Sequence, residues 1–171
     1  ITLFVCLFFP VISYLQVFSS NTSSNIPPWP GELLIPINVS GLNTEINSNY
    51  GLQEICLTIN HPRCEDLTVK LISPDGTSST LFYDIGGINA NVSNLCLSDS
   101  GISVYNVSAP FTGNYRAMLP IGVHNNGQNP NGTWNLKIID VAAGETGTFM
   151  DYSLHFGSNP ALPFAVQESS L

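Results

Sequence analysis

Three stretches of the chain alternate apolar and polar residues with a period of two. Leu67, Val69 and Leu71 alternate with Thr68 and Lys70; Trp134, Leu136 and Ile138 with Asn135 and Lys137; and Met150, Tyr152, Leu154 and Phe156 with Asp151, Ser153 and His155. Successive side chains of a strand point to opposite faces, so this pattern predicts antiparallel strands with one face buried and the other in solvent. Shorter apolar runs predict further strands over 33–39, 54–60, 80–85, 102–108 and 115–119. Beyond the N-terminal segment no stretch sustains a 3.6-residue apolar period, and turn residues recur about every ten positions, which predicts a two-sheet sandwich.

The corners are specified as clearly as the strands. In Ser73-Pro74-Asp75-Gly76-Thr77, proline fixes φ at the second position and glycine accepts the positive φ that follows, so a hairpin between 67–73 and 80–85 is expected. The Asn- and Gly-rich segment 122–132 reads as a long polar loop, the best candidate for a mobile or partner-facing one.

Only 9% of the residues are charged, with 12 acidic against 4 basic and a formal net charge of -8. Arg63, Lys70, Arg116 and Lys137 are scattered along the sequence, which argues against nucleic acid as a partner, since no basic cluster exists to neutralise phosphates. An acidic chain rich in Asn, Ser and Gly suits an extracellular module and hard cations that take oxygen ligands.

Residues 1–15 are almost wholly apolar and give way abruptly to a Ser- and Asn-rich segment. The run is short for a membrane-spanning helix, so residues 1–20 read as a truncated secretory signal, with a short uncleaved anchor as the competing reading. A linker is expected over 21–32, a single domain over 33–158 and a tail or linker over 159–171. On the leader reading, a partner domain is expected downstream or on another chain, and no membrane contact beyond the leader.

With Cys6 in the leader, Cys56, Cys64 and Cys96 remain, and in an oxidising compartment three pairings are possible. Cys64 and Cys96 each lie shortly before an acidic loop position, Asp66 and Asp99, which favours Cys64 to Cys96; Cys56 and Cys64 flank a tight connection, and three buried thiols are the alternative. No C-x-x-C pair or histidine at ligand spacing signals zinc.

The corners then follow in a telling order: Asp66-Leu67-Thr68-Val69-Lys70-Leu71-Ile72-Ser73-Pro74-Asp75-Gly76-Thr77, Gly86-Gly87, Ala109-Pro110-Phe111-Thr112-Gly113-Asn114-Tyr115-Arg116, Asn131-Gly132-Thr133-Trp134 through Asp140, and Gly144-Glu145-Thr146-Gly147-Thr148-Phe149. This order, over roughly 33–158, resembles the P domain (Homo B domain) of subtilisin-like proprotein convertases, which recurs in secreted bacterial proteins. Ala117 stands where the pattern has proline, Glu145 where it has aspartate, and Leu97-Ser98-Asp99 where it has Phe-Asp-Asp. The resemblance implies an all-β jelly-roll sandwich of about eight antiparallel strands. It also implies a non-catalytic accessory domain of a serine endopeptidase, which packs against the protease and supports its folding. A stand-alone adhesion or carbohydrate-binding module is the alternative.

Candidate chemistry is sparse. No Gly-rich nucleophile sequence accompanies a serine, and His61, His124 and His155 fall in a turn, a polar loop and an outward strand position, where surface residues are expected. Asp66, Asp99, Asp140, Glu145 and, less directly, Asp84 sit at strand ends, where carboxylates and backbone carbonyls can supply calcium with its six to eight oxygens; some members of the resembled family bind calcium at such loops. The competing role for Asp66 and Asp140 is to accept backbone N–H bonds in turns. Phe111, Tyr115 and Trp134 alternate with turn and polar positions as core residues do, while Tyr50, Tyr105 and Trp29 are less constrained. Glycosylation sequons occur at Asn21, Asn38, Asn91, Asn106 and Asn131.

Overall fold

The computed structural model describes residues 15–108 and 110–162. The expected leader up to residue 14, with Cys6, lies outside the described residues, as do Ala109 and residues 163–171 of the expected tail. Ten strands form among the described residues: β1 (Gln16–Ser20), β2 (Ser24–Asn25), β3 (Glu32–Val39), β4 (Gly51–Asn60), β5 (Leu67–Ile72), β6 (Ser78–Tyr83), β7 (Val92–Ser103), β8 (Phe111–Arg116), β9 (Gly132–Asp140) and β10 (Thr148–Gly157). They build a six-stranded sheet of order β1-β10-β4-β7-β8, with β2 also paired to β10, and a four-stranded sheet of order β3-β9-β5-β6. The chain is thus the all-β sandwich that its alternation predicts. Its pairings are antiparallel except that of β7 with β8, which is parallel.

The core lies between the sheets. Leu67, Val69 and Leu71 of β5 and Trp134, Leu136 and Ile138 of β9 are completely buried, whereas Lys70 and Lys137 remain on the outer face. On β10 the alternation slips. A register shift between Phe149 and Asp151 inserts an extra residue, so Phe149 enters the core and Met150, expected inside, stays half-buried. Tyr152 ties the layers together: its hydroxyl donates to the Ile35 carbonyl on the opposite sheet at 2.9 Å. The Trp134 indole donates to the Pro130 carbonyl at 2.8 Å and meets Phe156 edge-on with ring centres 5.5 Å apart. Each large side chain removed from water in this way contributes about 1.5–3 kcal/mol.

Several elements differ from expectation. β7 was not foreseen over 92–98 because Asn91, Ser93, Asn94 and Ser98 dilute its apolar signal, yet Val92, Leu95 and Leu97 are fully buried. The strand expected over 102–108 is instead the end of β7 followed by a 3-10 turn at Val104–Asn106. At the other end, β1 and β2 occupy positions expected to be leader and linker. Gln16 to Ser20 pair with Phe156 to Tyr152, and Ser24 and Asn25 pair with Phe149 and Thr148, so the sheet extends ahead of residue 33.

The disulfide joins Cys56 to Cys96, and Cys64 is a buried free thiol. This corrects the Cys64 to Cys96 pairing. Cys56 on β4 stands directly opposite Cys96 on β7, with Cα atoms 4.0 Å apart, on the face of the six-stranded sheet turned away from the core. Cys64 belongs to a 3-10 turn at Cys64–Asp66 and packs into the core cluster, where burial pushes its thiol pKa up to about 11.

Candidate functional site

Three of the four expected metal ligands gather at one end of the sandwich. Asp66 closes the 3-10 turn before β5, and its carbonyl accepts from Val141 N at 2.7 Å, next to Asp140 at the end of β9. The Asp140 carboxylate is wholly buried; one oxygen lies 3.2 Å from Nε2 of buried His61 and the other accepts from Ala142 N at 3.2 Å. His61 Nδ1 lies 2.8 Å from the Arg63 carbonyl, which fixes the ring plane. The turn bearing Glu145 lies against this ring. A Cβ on Gly147 would come within 2.4 Å of His61 Cδ2 and 2.6 Å of the Asn60 carbonyl, so only glycine fits there.

Arg63 is the cation of this end. Its guanidinium pairs with Glu65 and lies 3.6 Å from the Asp66 carboxylate, and its electrostatic partners include Glu145. Asp140 is thus committed to His61 and Ala142, and Glu65 and Asp66 face Arg63. Asp99 does not join the group. It caps a different corner, its two oxygens accepting from Ile121 N at 2.7 Å and Gly122 N at 2.8 Å. Burial raises its pKa against the opposing pull of those hydrogen bonds and Arg116.

Two of the histidines expected at the surface are core residues. His61 is 1% and His124 0% exposed. His124 reaches Ser79 Oγ through Nε2 at 2.9 Å and Ser73 Oγ through Nδ1 at 3.0 Å, and Ser73 Oγ donates to Asp75 at 2.7 Å. These are hydrolase residue types, but Ser73 and Ser79 are 3% and 2% exposed, and the chain of bonds ties the 73–77 turn to the core where no substrate reaches. The third histidine does lie outside. His155 Nε2 contacts Ser153 Oγ at 2.9 Å, and Nδ1 lies 2.9 Å from Glu54 but off the hydrogen-bonding direction. Ser153 lies within β10, paired with β1 on one side and β4 on the other, so the ladders on either side engage the backbone N–H groups that an oxyanion hole would need.

The Asn-rich segment 122–132 is not a free loop. Asn125 accepts from Leu52 N at 2.8 Å and donates to Leu52 O at 2.9 Å, pairing with β4 as a neighbouring strand would. Asn131 treats Leu42 in the same way, accepting at 3.0 Å and donating at 3.0 Å. Gly127 N and Gln128 O close the segment onto Ile46 at 2.8 and 3.0 Å. Sequence reasoning read these asparagines as loop polarity; a side-chain amide that imitates a peptide leaves no periodic trace. Phe111 and Trp134 are buried and Tyr115 packs against the core, as their alternation predicts.

The outer face of the four-stranded sheet has no internal cover among the described elements. In register across its strands, Leu34, Lys137, Lys70 and Thr80 form one row, Pro36, Asn135, Ile72 and Ser78 the next, and Glu32, Ile139, Thr68 and Tyr83 a third. Lys70 and Lys137, half of the basic residues of the chain, stand directly opposite each other. Lys137 pairs with Glu32, whereas Lys70 has no carboxylate partner among the described residues.

Comparison with known proteins gives these features a setting. The sequence profile of the proprotein convertase P-domain matches residues 53–156. Leupeptin-inactivating enzyme 1 of Streptomyces exfoliatus is 26% identical over 142 residues, a span covering 82% of this chain and 26% of that enzyme. The serine protease of Aeromonas sobria, alone and in complex with its chaperone, aligns at 18% and 19% identity, over 80% and 82% of this chain and 27% and 28% of the protease chain, with TM-scores of 0.38 in both cases. The chain therefore spans about a quarter of the length of the relatives it matches.

Proposed function

The chain belongs to the proprotein convertase P-domain family, and from that membership we propose a non-catalytic accessory domain that docks on, and stabilises, the catalytic domain of a serine endopeptidase. The observation that carries this reading is the outer face of the four-stranded sheet. Like charges held opposite each other on neighbouring strands are destabilising, and Lys70 and Lys137 are so placed on a protein of net charge -8. A partner presenting carboxylates to Lys70 and Lys137, with apolar groups against Leu34, Ile72 and Ile139, would relieve that repulsion and cover the face.

The disulfide supports a setting outside the cytosol, and no helix among the described residues is long and apolar enough to cross a membrane. We further infer that calcium is not required at the acidic end, a reading supported by the positive charge that Arg63 brings to Glu65 and Asp66.

The test is to refold a serine endopeptidase catalytic domain from the same source alone, with this chain, and with its Lys70→Glu, Lys137→Glu variant. The wild-type chain should raise both the refolding yield and the unfolding midpoint of the catalytic domain, and the doubly substituted chain should do neither. An equal effect of both chains would remove the sheet face from the reading, and no effect of either would remove the accessory role.

A further inference from the structure

Four potential ligands converge on the outer face of the six-stranded sheet, and none of them belongs to the acidic end or the docking face. Glu54 and Cys56 alternate on β4, His155 on β10 stands opposite Glu54, and Cys96 on β7 stands opposite Cys56. The ligand atoms of Glu54, Cys56 and His155 all lie within 4.8 Å of one another, and Cys96 is bonded to Cys56. Two sulfurs, an imidazole nitrogen and a carboxylate oxygen are a donor set suited to tetrahedral zinc.

The imidazole is prepared for such a role. His155 Nδ1 is buried and makes no hydrogen bond, although it lies 2.9 Å from Glu54, while Nε2 is held by Ser153 Oγ at 2.9 Å. A metal-binding histidine has this arrangement: one nitrogen turned toward the other ligands, the second oriented by a hydrogen bond. Of the four groups Glu54 also lines a cavity of about 480 Å³, together with Ser98, Asp99 and Leu162 among others.

We propose that reduction of the Cys56–Cys96 disulfide converts this patch into a zinc site, with Cys56, Cys96, His155 and Glu54 as ligands. The oxidised and metal-bound forms are mutually exclusive, because a sulfur in a disulfide is not a thiolate. The reductant is a dithiol. Its two electrons and two protons go to Cys56 and Cys96 as the Sγ–Sγ bond breaks, and it leaves as a cyclic disulfide. Zinc then displaces the two thiol protons and binds both thiolates. Such a site leaves no ligand spacing along the sequence, since its ligands come from three strands.

The experiment titrates cobalt, followed by zinc, into the whole chain carrying Cys64→Ser, before and after anaerobic reduction with a dithiol that is then removed. The reduced protein should bind one equivalent of cobalt with a thiolate-to-cobalt charge-transfer band and a tetrahedral visible spectrum, both abolished by zinc, and the oxidised protein should show neither. Ser153→Ala should weaken binding about 10–100-fold, and His155→Ala by more. The proposal is overturned if the reduced protein takes up no cobalt, if His155→Ala binds as tightly as its parent, or if reduction abolishes the near-ultraviolet circular dichroism before any metal is added.

Discussion

His124 is the residue whose environment departs furthest from what its neighbours in sequence suggest. It follows Gly122-Val123 and precedes a run of asparagines, yet it is completely buried between Ser73 and Ser79. Burial lowers its pKa from 6.5 to about 4, although the Asp75 charge pulls the other way. The unfolded chain therefore binds a proton in this range that the folded chain refuses. Stability from this residue should be complete above pH 6.5 and fall by about 3 kcal/mol as the pH drops to 4. Urea unfolding across that window checks it, and His124→Gln should remove most of the slope. Asp75 acts lower on the pH scale. Burial works against its charge, but bonds from Ser73, Thr77 and Asn126 hold its carboxyl below the usual range, and its contribution is lost as pH falls through that lowered pKa. Arg63 gives a second test at this scale. The wild-type chain should melt at the same temperature in excess calcium and in chelator. Arg63→Ala, by releasing Glu65, Asp66 and Glu145, should make the midpoint rise with calcium, by the equivalent of about 2.7 kcal/mol at a hundredfold excess over the dissociation constant.

Strands were legible where burial on one face forces alternation, as on β5 and β9, and less so where something interrupts it. The extra residue in β10 exchanges Met150 for Phe149, and the Asn and Ser positions of β7 hide a central strand. The gathering of Asp66, Asp140 and Glu145 could be anticipated because all three lie at strand ends, but Arg63 and His61 among them could not, since contacts between loops distant in sequence have no period. Correct cysteine pairing needed the β4–β7 register, which follows only once β7 is recognised. The turn before β10 is a test of element geometry. Gly147→Ala places a methyl group against His61 and the Asn60 carbonyl, and backbone cannot rotate aside as a side chain can. A loss of about 1–3 kcal/mol is expected in denaturant unfolding, with the Ile26 to Gly147 bond that docks β2 weakened alongside.

For the molecule as a whole, the two sheets divide the work. The four-stranded sheet offers a cationic and apolar outer face, while the six-stranded sheet carries the disulfide and its neighbours. On the docking role proposed above, a domain that holds two lysines opposite each other gives up stability when alone. Lys70→Thr should accordingly raise the stability of the isolated chain by about 0.2–1 kcal/mol, measured by thermal unfolding at low salt, while weakening its effect on a catalytic domain. No gain in stability would show that solvent already screens the pair.

β1 and β10 have a mechanical consequence. Gln16 at the start of β1 lies in register with Phe156 near the end of β10, so polypeptide attached at either end leaves from the same corner of the sheet. Tension applied between those two attachments would act across the ladder at its outermost rung and part the strands one rung at a time, as a zipper opens. It would not load all the rungs together, as pulling from opposite ends of the pair would. Under traction the domain would therefore yield first at β1, at low force, with β4 and the core behind it still closed.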